Sequence, residues 1–194
     1  MNGKEHALLL LGFVGCAVYA QHGVIREYAA LAPRADAVPL RPLADMALTD
    51  VSIAVGHDGA YYMTGSVVEG EKAVFEKRVP IWRSMDLRGW KKIREVESGG
   101  RRAQAPEIHF LRGRYWLTLG LEGGGTELVS FASTDVARSG VRRAAITEKG
   151  FDPSLFLDDD GTFYWVMGAG EVARMKADPM EGNPQLRLYC MLNT

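Results

Sequence analysis

The sequence predicts an all-β fold built from about three four-stranded sheets, and three observations carry that expectation. The 194-residue chain holds 22 glycines among clusters of Tyr, Phe and Trp, a mixture that suits turns and pleated, half-buried surfaces better than helices. One hairpin pattern recurs about every fifty residues. A second hairpin carrying its own Asp follows each copy. With 47% hydrophobic and 24% charged residues the composition is globular. Twenty-three basic against 24 acidic residues leave a formal charge of -1, so no sequence-wide field draws the chain to nucleic acid or to an anionic membrane. Its two cysteines, Cys16 and Cys190, cannot make a disulfide framework.

The elements follow in chain order. Lys4 precedes an apolar run from Ala7 to Val18, and the small residue Ala20 closes it, which reads as a secretory signal peptide over residues 1–20. At 1.5 Å per residue those 12 residues fall short of the roughly 20 that a bilayer span needs, so no membrane span is expected. A buried N-terminal helix stays open as an alternative. So does lipid anchoring at Cys16, because Phe13-Val-Gly-Cys16 resembles a bacterial lipoprotein box, although Phe13 stands where a smaller aliphatic is usual. Residues 21–48, with Pro33, Pro39 and Pro42, read as a lead-in to a domain spanning 49–194.

Three segments then share one pattern: Asp50 to Gly65, Ala105 to Thr118, and Asp152 to Gly168. In the first and third, Asp58-Gly59 and Asp160-Gly161 sit between apolar, aromatic runs, a strong hairpin signal because both turn residues tolerate positive φ. Arg112-Gly113 takes that place in the second. Nine residues separate Asp50 from Gly59 and Asp152 from Gly161, but eight separate Ala105 from Gly113. The following hairpins bring Asp86, Asp135 and Asp178 at a matching phase. Four strands per repeat is the pattern of a β-propeller blade, with blades starting near 50, 105 and 152. Three blades do not close a ring, so the chain is expected to be a fragment whose remaining blades lie downstream.

At these residues the chain resembles glycoside hydrolase family 43. Asp50-Val-Ser-Ile, Asp58-Gly-Ala-Tyr-Tyr, Ile81-Trp-Arg-Ser-Met-Asp-Leu-Arg-Gly-Trp90, Ala105-Pro-Glu-Ile-His and Phe151-Asp-Pro-Ser-Leu-Phe-Leu-Asp-Asp-Asp-Gly161 carry the likeness in order and spacing, from about Leu48 to Pro184. The resemblance implies a five-bladed β-propeller, incomplete here, and inverting hydrolysis of arabinose- or xylose-containing plant polysaccharides such as arabinan or arabinoxylan. It implies no cofactor. Carried over by motif, the general base falls on Asp50 and the third carboxylate, which tunes the acid, on Asp152. The family's general acid, a fourth-blade Glu, has no counterpart before Thr194, so the fragment on its own is expected to be inactive. Without the resemblance, each Asp reads as a cap for nearby backbone.

Two departures from the family pattern stand out: Val51 where Pro is usual, and Gln104 where Trp is usual, the second leaving sugar specificity open. Glu107, after Ala105-Pro106, is a candidate sugar-hydroxyl contact and equally a structural hydrogen-bond acceptor. Duller readings cover the rest. Asp158-Asp-Asp-Gly161 reads as a hairpin turn rather than a calcium loop, Glu122-Gly-Gly-Gly125 as a loop without the Lys-Ser/Thr of a phosphate cradle, and Glu181 as a solvated turn residue. His57 belongs to a turn, and His109 lacks partners at metal-ligand spacing. The alternative to an enzyme is a non-catalytic carbohydrate-binding or interaction propeller. Export gives the first test: mass spectrometry of secreted material should find Gln21 or a close neighbour at the N-terminus, and intact Met1 in the cytoplasm would refute the signal-peptide reading.

Overall fold

The computed structural model describes residues 46–69, 74–182 and 189–190. The chain divides into two units, 1–41 and 42–194. The expected signal peptide and most of the lead-in belong to the first, which lies outside the described residues.

The second unit holds three antiparallel sheets. The first contains β1 (Leu48–Val55), β2 (Tyr61–Glu69), β3 (Val74–Phe75), β4 (Arg78–Ser84) and β5 (Lys91–Glu97), in the order β1-β2-β4-β5 with β3 paired to β2. The second runs β6 (Ala103–Leu111), β7 (Arg114–Leu121), β8 (Thr126–Phe131) and β9 (Val141–Thr147). The third runs β10 (Ser154–Leu157), β11 (Phe163–Met167), β12 (Glu171–Arg174) and β13 (Tyr189–Cys190). The main path of each is a meander of four strands, the blade expected from the repeat, with β3 an extra short strand in the first, and the Asp86, Asp135 and Asp178 turns separate the third and fourth strands of successive meanders. Among the described residues the only helical pieces are two three-residue 3₁₀ turns, Gly168–Gly170 and Pro179–Glu181, and no helix is long and apolar enough to cross a membrane.

The hairpin turns differ from the expectation in an instructive way. In the first and third copies only the glycine takes positive φ, Gly59 at 71° and Gly161 at 83°. The aspartates instead hold the turn through their side chains: Asp58 Oδ1 accepts the Ala60 N–H at 3.2 Å and Asp160 Oδ1 accepts the Thr162 N–H at 2.7 Å. Those loops span five residues, from the Val55↔Tyr61 pair and the Leu157↔Phe163 pair. In the middle copy Leu111 pairs with Arg114, and both loop residues are left-handed, Arg112 at φ 51° and Gly113 at 72°. The shorter spacing there reflects a strand one residue longer joined to a true two-residue turn.

Blades bury apolar faces against each other, and each contact is a separate core. Between the first and second lie Tyr62, Val79, Ile81, Ile108, Tyr115, Leu117, Leu119 and Phe131. Between the second and third lie Trp116, Leu128, Leu155, Phe163, Trp165 and Met167. Polar ties cross the same boundaries. Arg94 Nη1 donates to Val136 O at 2.8 Å, the Tyr115 hydroxyl receives the His57 N–H at 3.3 Å, and Arg112 donates to Gly161 O while its guanidinium stacks 5.0 Å from the Phe163 ring centre. The opposite face of β1 stays open: Val51, Ile53 and Val55 are 51%, 47% and 59% exposed.

Truncating one residue in the first inter-blade core separates these environments. Leu117→Ala should lower the unfolding free energy in urea by about 3 kcal/mol. Val55→Thr on the open face should change it by less than about 0.5 kcal/mol.

Candidate active site

The site is built from one backbone device used three times. Thr49 pairs with Ser66 and Ser52 with Thr64, so Asp50 and Val51 together face the single residue Gly65. Gln104 pairs with Gly120 and Glu107 with Thr118, which sets Ala105 and Pro106 against Leu119. In the third blade the Gly168 N–H reaches Phe151 O at 3.0 Å and Ser154 pairs with Val166, which bulges out Asp152 and Pro153. A bulge of this kind re-aims the side chain it carries. At all three the first bulged residue is left-handed without being glycine: Asp50 at φ 52°, Ala105 at 43° and Asp152 at 47°. Such backbone costs about 1–3 kcal/mol per residue and clusters at functional sites.

The first strands of adjacent blades lie side by side, β1 beside β6 and β6 beside β10, so the bulges meet on one side of the molecule. Small hydroxyls stitch them together. The Ile108 N–H donates to Ser52 Oγ at 3.2 Å, and the Ala105 N–H donates to Ser66 Oγ at 2.8 Å. Ser66 Oγ in turn donates to Asp50 Oδ2 at 2.9 Å, where Thr49 Oγ1 also donates at 3.1 Å. Asp50 therefore binds hydroxyls and not the neighbouring backbone, which departs from the simple capping role.

Asp152 lies within the electrostatic reach of both other sequence-identified acids. Its side chain is open to solvent, yet loss of water around it and then the charges of Asp50 and Glu107 push its carboxyl above the usual range. Glu107 moves the other way. Burial alone would raise it, but the His109 imidazole and the Ser154 hydroxyl outweigh burial and hold the carboxyl below its usual range. His109 Nε2 lies 3.2 Å from Glu107 Oε2, close in distance but poorly aligned for a linear hydrogen bond. Two neighbouring carboxyls are thus displaced in opposite directions, the condition under which one holds a proton more readily than the other. Among the described residues no three His, Cys, Asp or Glu side chains are grouped to hold a metal ion.

The structure brings together Asp50, Glu107 and Asp152, the three site residues singled out in the sequence, and adds Ser66, Ser154 and His109 as their neighbours. The remaining candidates stand apart. His57 Nδ1 faces the Tyr115 hydroxyl at 3.2 Å at the far end of β1, Glu122 pairs with Arg102 at 3.0 Å, and the exposed Glu181 lies 3.7 Å from Lys176. No motif marks Ser66; only strand register places it.

The raised Asp152 carboxyl has a signed consequence. Its folded value exceeds its unfolded one, so folding takes up a proton between the two, and the group costs stability as pH rises through that window and beyond it. Carboxyl ¹³C NMR titration of the chain should show the Asp152 midpoint falling in Glu107→Gln and in Asp50→Asn. A midpoint unmoved by both substitutions would mean that the three carboxyls do not sense one another.

Known proteins share this arrangement of blades. A bifunctional GH43-CE protein of Bacteroides eggerthii superposes with a TM-score of 0.60 at 22% identity, covering 76% of this chain and 21% of its own. A GH43 endo-arabinanase from Bacillus licheniformis gives 0.57 at 19% identity, over 75% of this chain and 56% of that one. A GH43_1 enzyme from Xanthomonas citri, solved with xylotriose, gives 0.58 at 16%, over 76% and 57%. The chain spans between about a fifth and a third of the length of the first such structures. No curated protein sequence matches it. The sequence profile of glycosyl hydrolases family 43 matches residues 39–185, the stretch that holds all three bulges and their carboxylates, and the chain belongs to that family.

Proposed function

We propose that the protein is a glycoside hydrolase acting on arabinose- or xylose-containing polysaccharides or oligosaccharides by inversion, with Asp50 as general base and Asp152 as the third carboxylate. The observation that carries this reading is the nearness of Asp50 and Glu107 to Asp152, whose carboxyl is raised first by loss of water around it and then by those two charges. An inverting site needs a base that activates water on the face of the sugar opposite the leaving group, with about 6.5–9.5 Å between base and acid carboxyls. Asp50, fixed by two hydroxyls at one oxygen, is suited to take the water's proton. Asp152, more readily protonated, contacts the sugar and tunes the acid. Glu107, charged and held by His109 and Ser154, accepts a sugar hydroxyl.

Family membership and the names of structural neighbours, an endo-arabinanase and an enzyme holding xylotriose, support the sugar class. The pattern of residues 1–20 supports export, to the periplasm or the exterior. A second reading, carbohydrate binding without catalysis, draws on Glu107, whose two partners suit hydroxyl recognition better than proton transfer.

One assay divides the two. Aryl arabinofuranosides and xylosides should not be turned over at a useful rate by the 194-residue chain, and a chain extended by the downstream blades should recover hydrolysis. Asp50→Asn should then remove about 10²- to 10⁴-fold of that rate, the range of general acid–base assistance. Oligosaccharide binding without Asp50-dependent turnover of any substrate would leave the binding reading standing.

A further inference from the structure

We infer that Ser66 is a positioning residue for Asp50. The inference rests on the reading of Asp50 as the base and adds a residue that no sequence motif marks. Ser66 is 1% exposed on β2, so no water competes for its hydroxyl. A serine hydroxyl has one proton and two lone pairs. Here a lone pair takes the Ala105 N–H at 2.8 Å, and the proton goes to Asp50 Oδ2 at 2.9 Å. With both partners fixed, the hydroxyl has one orientation, and the carboxylate that receives it has one too. Thr49 Oγ1 donates to the same oxygen, so both contacts fall on Oδ2, and Oδ1 accepts no hydrogen bond among the described residues. Oδ1 is then the oxygen that receives the proton of water.

The repeat shows that this side chain is not required by the blade itself. Ser66, Gly120 and Gly168 occupy the same place, each opposite the residue that precedes a bulge. At Gly120 an added Cβ would stand 3.1 Å from Gln104 O and 3.4 Å from Pro153 Cδ, and at Gly168 it would collide with the Phe151 ring. The second and third blades fold with glycine there. In the first, the space opens enough for a serine, and its hydroxyl joins the Asp50 bulge to the Ala105 bulge of the next blade. The hydroxyl therefore couples the geometry of the base to the contact between two blades.

The test compares Ser66→Ala and Ser66→Gly with unaltered Ser66 in the chain extended by the downstream blades, on an aryl arabinofuranoside or xyloside, with thermal unfolding followed in parallel. Glycine is included because the other two blades accommodate it at this position. The expected result is a kcat reduced about tenfold, the equivalent of one hydrogen bond to a charged group, with KM unchanged and the protein still folded at the assay temperature. Unaltered kcat in both variants overturns the inference, as does a loss that only follows the folded fraction. If the extended chain with Ser66 unaltered shows no Asp50-dependent turnover, the reading of Asp50 as base fails and this inference falls with it.

Discussion

The arrangement depends on one constraint, a left-handed residue that is not glycine near the start of each blade's inner strand. At φ 52°, 43° and 47°, Asp50, Ala105 and Asp152 hold backbone that ordinary residues avoid. Each sits in a bulge where two residues oppose one, so its side chain leaves the alternation of the strand and turns to the side where the blades meet. Strain of this size persists only where the surroundings over-determine it. The two inter-blade cores supply that, with Leu117 and Leu119 fully buried against the first blade and Trp165 fully buried between the second and third. Hydroxyls from Ser52 and Ser66 then fix the neighbouring strand's amides at the bulges themselves.

Electrostatics follows from that geometry. Three acids aimed at one region would repel one another if all were ionised and equally hydrated. The protein divides them by environment: His109 and Ser154 favour the charged form of Glu107, while Asp152 has only desolvation and two like charges about it. Asp50 is held by hydroxyl donors that orient it without adding a cation. Proximity of charge and difference of partner together distinguish three side chains of similar chemistry.

Much of this was readable from spacing, and the rest failed to be for definite physical reasons. Recurring Asp-Gly and Arg-Gly turns between aromatic runs mark the hairpins, because turn chemistry is local. The conformation of those turns was not legible. Asp58 and Asp160 anchor five-residue loops by side-chain hydrogen bonds instead of adopting positive φ, a choice that depends on where each strand stops pairing. Asp50, Glu107 and Asp152 were recognisable through motif, and their nearness to one another follows from blade phase. Ser66 was not, since a serine in Gly-Ser-Val carries no signal until register sets it opposite Thr49. His109 looks solitary in the sequence because its neighbour Glu107 comes close only through strand alternation, two residues away on the same face of β6.

Ala105 shows what the repeated bulge means for how such a site can change. It has the same backbone conformation as Asp50 and Asp152 but only a methyl group to present. Aspartate is among the residues that accept left-handed backbone most readily, more so than alanine. The number of acids facing the centre is therefore a matter of which side chain occupies a ready-made socket, settled one codon at a time without altering strand, turn or core. A scaffold made of such sockets separates the inheritance of shape from the inheritance of chemistry, so that one lineage can gain, lose or relocate charge while its framework stays the same.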